Sequence, residues 1–308
     1  MAFADLKTRF RNDIVSYGFL SPFLLVFALF LLFPVVYSLW LSLHRVVDLY
    51  DVFGGMKLVW FDNYIRLFKD GAFWWSLLMT LYYAALVIPG NIVLSLALAV
   101  VLNNRLPFRN LFRGGFFLPY VLDMLVVGII WVFIYSPHYG VLTKALDIIG
   151  VTWFSETGFL GNPWTAMPAV ALALILKSAG FGMILFLAAL QNIPPSLYES
   201  ASIDGASTWK QFRHITLPLL KPIILFIVIT GTIGALNAFT EIYAMTSGGP
   251  TVVIGSASHG MTTVSGYYLF RKFESMQLGY AAAISYVLFF ITLVISIINA
   301  RIFKSEDV

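Results

Sequence analysis

Cysteine is absent from the 308 residues, which removes disulfides, thiolate nucleophiles and cysteine-containing metal sites. Charge is scarce: Asp, Glu, Lys and Arg make up 11% of the chain, against roughly 25% in soluble domains. That is too little to cover a water-facing surface. No Gly-rich loop ending in Gly-Lys-Ser/Thr occurs, so the chain is not expected to hydrolyse ATP. The 19 basic residues exceed the 15 acidic ones without clustering on a polar fold, so no nucleic-acid partner is expected.

What the chain does have is apolar length. Hydrophobic residues make up 60% of it, and the mean hydropathy is +0.87. A bilayer core needs roughly 20 apolar residues per helix. Six windows meet that length: Tyr17 to His44, Leu77 to Leu102, Leu111 to Tyr135, Trp164 to Leu190, Leu219 to Tyr243 and Gly279 to Phe303. The runs are continuous rather than alternating, which excludes a β-barrel and predicts an all-α membrane protein with six transmembrane helices. The first run continues past signal-peptide length without a small-residue cleavage site, so it is expected to be a retained span.

Basic residues are retained on the cytoplasmic side. One set of connections holds Lys7, Arg9, Arg11, Arg105, Arg109, Arg113, Lys210, Arg213, Lys221, Arg301 and Lys304. The other holds Arg45, Lys57, Arg66, Lys69, Lys144, Arg271 and Lys272, matched by as many acids. Both termini are therefore expected inside. Residues 1–16 form a cytoplasmic segment, 17–303 one membrane domain and 304–308 a cytoplasmic tail. In the outer connections, Asn63 to Phe68 and Val141 to Ile149 read as short amphipathic helices, and Ser247, Gly248, Gly249 and Pro250 as a turn. Phe73, Trp74 and Trp75 suit an interfacial belt or a simple helix anchor.

The longest inner connection, 191–221, is too polar to span. Pro194 and Pro195 stop the fourth helix, and Ser196 followed by Glu199 reads as a capping box. A helix over Leu197 to Ile203, a turn at Gly205 and a second piece over Ser207 to Thr216 predict a helical hairpin along the membrane. The run Glu199, Ser200, Ala201, Ser202, Ile203, Asp204, Gly205, Ala206, then Phe212, Ile215, Leu217 and Pro218, resembles the signature loop of permease subunits in binding-protein-dependent ATP-binding cassette (ABC) importers. Ser200 stands where an alanine is common. Asn63, Tyr64, Phe68, Leu118, Pro119, Trp131, Gly249, Pro250, Tyr268, Phe273 and Gly279 to Ala283 resemble the carbohydrate branch, of maltose and glycerol-3-phosphate permease type.

The resemblance implies a type I ABC importer transmembrane domain. It also implies a second permease making a heterodimer, two ABC ATPase subunits holding ATP and magnesium, an extracytoplasmic solute-binding protein, a sugar as substrate and a prokaryotic plasma membrane as location. This chain would have no cofactor and no catalytic residue. The loop would dock on an ATPase, with Glu199, Ser200, Ala201, Asp204, Gly205, Ala206, Leu217 and Pro218 as coupling residues. Independently of the resemblance, small residues let a partner approach and carboxylates offer charged hydrogen bonds. Glu199 could instead serve only as a cap.

Charges inside a membrane are expensive and usually functional. The three within the expected spans are Asp123, Lys177 and Glu241. The family's solute site falls mainly on the third to fifth helices, which implies Lys177, Ser178, Phe181, Asn237, Phe239 and Glu241, with Trp131 and Tyr135, as the substrate path. Lys177 and Glu241 equally suit structural ion pairs, and Trp131 core packing. A permease for glycerol-3-phosphate or another polyol, and a membrane scaffold or receptor that moves no solute, are the other functions these residues allow.

Overall fold

The computed structural model describes residues 17–46, 55–104 and 106–304. The expected inner segment with Lys7, Arg9 and Arg11, residue Arg105, and tail residues 305–308 lie outside the described residues. The chain divides into two compact units, one holding residues up to Lys69 with Lys272–Val287, the other Asp70–Arg271 with residues from Leu288 onward.

The first unit opens with helix α1 (Tyr17–Ser42), whose most apolar stretch has no buried residue. A two-stranded pair follows, β1 (His44–Val46) and β2 (Met56–Leu58), antiparallel with His44 opposite Leu58. Helix α2 (Asp62–Lys69) then covers the expected amphipathic segment. Its buried Asn63 explains the join: the end of a helix leaves carbonyls without partners, and the Asn63 amide donates to the carbonyls of Ser42 at 2.8 Å and His44 at 3.0 Å.

The second unit is built around α3 (Gly71–Asn103), started by Asp70, whose carboxylate accepts the Ala72 N–H at 3.0 Å. The helix runs through Pro89 and buries Tyr83, Val87, Asn91, Ser95 and Ala99. Spaced four apart, these residues form one stripe. It packs on the later helix α8 (Ala166–Gln191), which faces it with alanines and glycines. Small residues are what let membrane helices close without a hydrophobic drive. The limit is at Gly182, where a Cβ would lie 2.4 Å from the Ser95 hydroxyl of α3.

The third expected span is corrected by the structure. Instead of one helix over Leu111 to Tyr135 there are two, α4 (Arg109–Val121) and α5 (Met124–Ile134), meeting at 102°. Pro119 weakens the end of α4. Asp123, one of the charges expected within a span, starts α5 by accepting the Leu125 N–H at 2.8 Å, so this acid is a cap at a bend. Between α5 and α8, α6 (Val141–Ile148) was expected and α7 (Phe154–Gly161) was not.

After α8 come the loop helix α9 (Pro195–Ile203), then α10 (Thr208–Leu219) and α11 (Lys221–Leu236), bent by 59°. The fifth span is corrected too. It ends at Leu236, and after a break at Asn237 to Phe239 a short α12 (Thr240–Met245) takes over. Beyond it lie the hairpin β3 (Thr251–Ile254) and β4 (Ala257–Gly260), then α13 (Ser265–Glu274) and α14 (Leu278–Lys304). Among the described residues four helices are long and apolar enough to cross a membrane alone, and the number is six if each bent pair counts as one span. The unit's interior holds two apolar clusters, one around Tyr83, Tyr135 and Ile242, the other around Ala99, Phe186 and Leu220.

Candidate functional site

A cavity of about 400 Å³, lined by residues of both apolar clusters, holds the buried Asn91 and Glu241 of the second unit. α3 supplies Tyr83 and Asn91, α4 Tyr120, α8 Ser178 and Phe181, α11 Thr230, and α12 Glu241. The break before α12 is what brings Glu241 here, since it turns the first residues of that helix back toward α3. Glu241 is 8% exposed, and the Tyr83 hydroxyl donates to its Oε1 at 2.7 Å. One carboxylate oxygen is thus held by a single phenol, and the group remains a strong acceptor.

Asn91 donates to the Ser178 hydroxyl at 2.5 Å, and Ser178 donates to the Leu174 carbonyl at 2.6 Å. Ser95, one turn along, donates to the carbonyl of Ala179 at 3.0 Å. This network joins α3 to α8, and a buried polar network is worth keeping only when its members are satisfied. Opposite it, Tyr120 and Phe181 stack with centroids 4.7 Å apart and planes 10° apart. The lining has one carboxylate and no Lys, Arg or His.

Of the residues expected on the substrate path, Ser178, Phe181 and Glu241 line this cavity and the others do not. Lys177 lies behind Tyr120: its Nζ donates to the Tyr120 carbonyl at 3.1 Å and sits 5.3 Å from that ring's centroid. Asn237 is exposed, and its amide donates to the Ile233 carbonyl of its own helix at 2.8 Å. Phe239 packs with Tyr243, Tyr267 and Phe270. Tyr135 is 1% exposed and donates to the Ala169 carbonyl at 3.0 Å, with Trp131 against it. Tyr83, Asn91, Tyr120 and Thr230 were missed. Asn91 had a legible signal, being an amide in a span without charge.

The loop presents a different surface. Residue Gly205 has φ +75°, a left-handed conformation that glycine adopts freely. Around it the Ala206 N–H donates to the Ala201 carbonyl at 2.9 Å and the Gly205 N–H to the Ser202 carbonyl at 3.1 Å, the paired bonds of a Schellman ending. Glu199, Ser200, Asp204 and Pro218 are exposed, and Ala201, Ala206 and Leu217 half-buried. The capping box does not form. α9 starts two residues early, at Pro195, after a Pro194 that makes no side-chain cap, because proline already has the helical φ and lacks the N–H a cap would satisfy. Ile203 is 87% and Trp209 66% exposed, so an apolar pair flanks the turn. Tyr198 and Thr216 share a hydrogen bond at 2.9 Å that ties α9 to α10.

Residues 91–305 match the family model described as binding-protein-dependent transport system inner membrane component. The trehalose/maltose transport system permease protein of Thermococcus litoralis is 33% identical over 96% of each chain. The lactose transport system permease protein of Rhizobium radiobacter is 35% identical over 93% of each. Among solved structures, a chain of the bacterial alginate ABC transporter, in complex with alginate pentasaccharide-bound periplasmic protein, aligns with TM-score 0.76 and 25% identity. The alignment covers 95% of this chain and 94% of that one.

Proposed function

The chain belongs to the family of inner membrane components of binding-protein-dependent transport systems, and on that premise we propose that it is one half of a heterodimeric pore through which a disaccharide or oligosaccharide enters the cell. The observation that carries the solute class is the cavity. Its volume of about 400 Å³ falls in the range of roughly 300–1,000 Å³ usual for small-molecule sites. Acceptors at Glu241 and Ser178 suit sugar hydroxyls, and the Tyr120–Phe181 stack offers an apolar wall for C–H faces. A carboxylate without a lining base works against a phosphorylated polyol, because like charges in a dry site repel strongly.

The sister permease completes the pore, and the unburied α1 is surface that it shares with lipid. Two ATP-binding cassette subunits, which hold the ATP and magnesium, receive the loop at Glu199, Asp204 and the Ile203–Trp209 pair. Closing of the ATPases draws the two loops together and opens the cavity outward; hydrolysis returns it inward. No bond in the solute changes. An extracytoplasmic binding protein meets the outer elements, including the β3–β4 hairpin. The membrane is the plasma membrane of a bacterium or archaeon, with both termini in the cytoplasm. Purification in mild detergent with mass spectrometry of the retained subunits tests the assembly. Recovery of a second permease and an ATPase supports it, whereas a chain recovered alone under conditions that preserve other complexes would sink it.

A further inference from the structure

The first unit contains a second, smaller cavity, of about 270 Å³, where the end of α1 meets the start of α14. Its lining includes His44, Arg45, Asn63 and Arg66, none of which the transport reading uses. His44 and Asn63 are 8% and 5% exposed. The His44 Nδ1–H donates to the Trp40 carbonyl at 2.7 Å, which leaves Nε2 an acceptor. Both amide donations of Asn63 go to carbonyls, which leaves Oδ1. Neither Nε2 nor Oδ1 has a partner among the described residues, and neither is a fully buried atom, so two acceptors stand open at one cavity. Arg66 is held by Gln277 Oε1 at 2.9 Å and lies 4.5 Å from the Tyr280 centroid, with the rest of its fork open. Among the described residues Arg45 makes a 3.9 Å contact with Asp62.

Cationic forks beside hydroxyl acceptors match a phosphodiester that carries alcohol groups. The surroundings point to a lipid: Phe61, Ile65 and Phe68 form an exposed apolar row on α2, spaced as on a helix lying in an interface. The apolar stretch of α1 is wholly unburied. We propose that this cavity binds the headgroup of an anionic, hydroxylated phospholipid of phosphatidylglycerol type. The arginines take the phosphate, and His44 Nε2 and Asn63 Oδ1 accept the glycerol hydroxyls. The outer leaflet follows from the proposed topology, but the binding itself does not depend on it.

The test is native mass spectrometry of the intact permease assembly after exposure to an equimolar mixture of phosphatidylglycerol, phosphatidic acid and phosphatidylcholine. Phosphatidylglycerol should be retained over both, and the Arg45→Ala, Arg66→Ala double variant should weaken that retention about tenfold or more. His44→Phe should keep anionic retention but abolish the preference over phosphatidic acid. As a check independent of substitution, a photoreactive phosphatidylglycerol is cross-linked to the unmodified assembly, with label expected on peptides holding residues 44–46 or 276–280. Equal retention of all three lipids with label elsewhere overturns the proposal. So does displacement of the lipid by inorganic phosphate alone, which would make this a small-anion site. A loss of binding-protein affinity in the variants without any lipid adduct would also overturn it, by making the pocket a protein contact.

Discussion

The loop around Gly205 and the cavity around Glu241 use the same scarce material, a few polar groups in an apolar chain, and they are built in opposite ways. The loop is local: a Schellman ending, a proline start and exposed carboxylates all lie within residues 194–218. The cavity is non-local, assembled from side chains as distant as Tyr83 and Glu241 by two helix breaks and a small-residue contact. A local device should fail by losing its shape or its partner, a non-local one by losing its chemistry while the fold stands. Four variants sharpen or break that contrast.

The largest effect is expected from Gly205→Val combined with Glu199→Ala. A β-branched residue at φ +75° opposes a backbone state that costs an L-residue about 1–2 kcal/mol, and the exposed carboxylate is lost as well. Uptake should fall by far more than tenfold while membrane insertion and the basal turnover of the ATPase persist; wild-type uptake would remove the loop from coupling. Next comes Glu241→Gln, which keeps shape and removes charge. Charged hydrogen bonds are worth about 1.5–3 kcal/mol, so the saccharide affinity of the transport step should drop about tenfold or more with assembly intact. Tyr120→Leu removes the ring stacked on Phe181, worth about 0.5–1.5 kcal/mol, and a severalfold rise in half-saturating saccharide concentration is expected. The smallest effect belongs to Asn237→Ala. Its amide serves only the end of α11, so uptake should stay within about twofold of wild type. A large loss there would return Asn237 to the solute path.

The same contrast governs what could be read from residue order. Hydropathy located the four unbroken long apolar helices and the apolar windows of the two bent pairs, because burial in lipid depends on composition over a window. Motif spacing located α9 and the Gly205 turn, since each depends on neighbours a few residues apart. The breaks were hidden by that same averaging: Leu122–Asp123 and Asn237–Phe239 are short polar or extended interruptions inside apolar windows. Pro119 with Asp123 was the available signal, a helix weakener followed by a capping residue. The two hairpins and α7 escaped for a different reason, being short segments held by contacts rather than by period. Charge also misled. Lys177 drew attention as an intramembrane base, but its long stem lets the ammonium reach the Tyr120 carbonyl behind the cavity wall. The uncharged Asn91 and Tyr83 line the cavity beside Glu241.

The account's central claim is best tested by reconstituting the assembly in proteoliposomes and measuring accumulation of a panel of labelled di- and oligosaccharides beside glycerol-3-phosphate. The account predicts that at least one saccharide accumulates only with ATP and the cognate binding protein present, and that the phosphorylated polyol does not. Accumulation of glycerol-3-phosphate with no saccharide moved, or no ATP-dependent accumulation by an assembly that hydrolyses ATP, would contradict it.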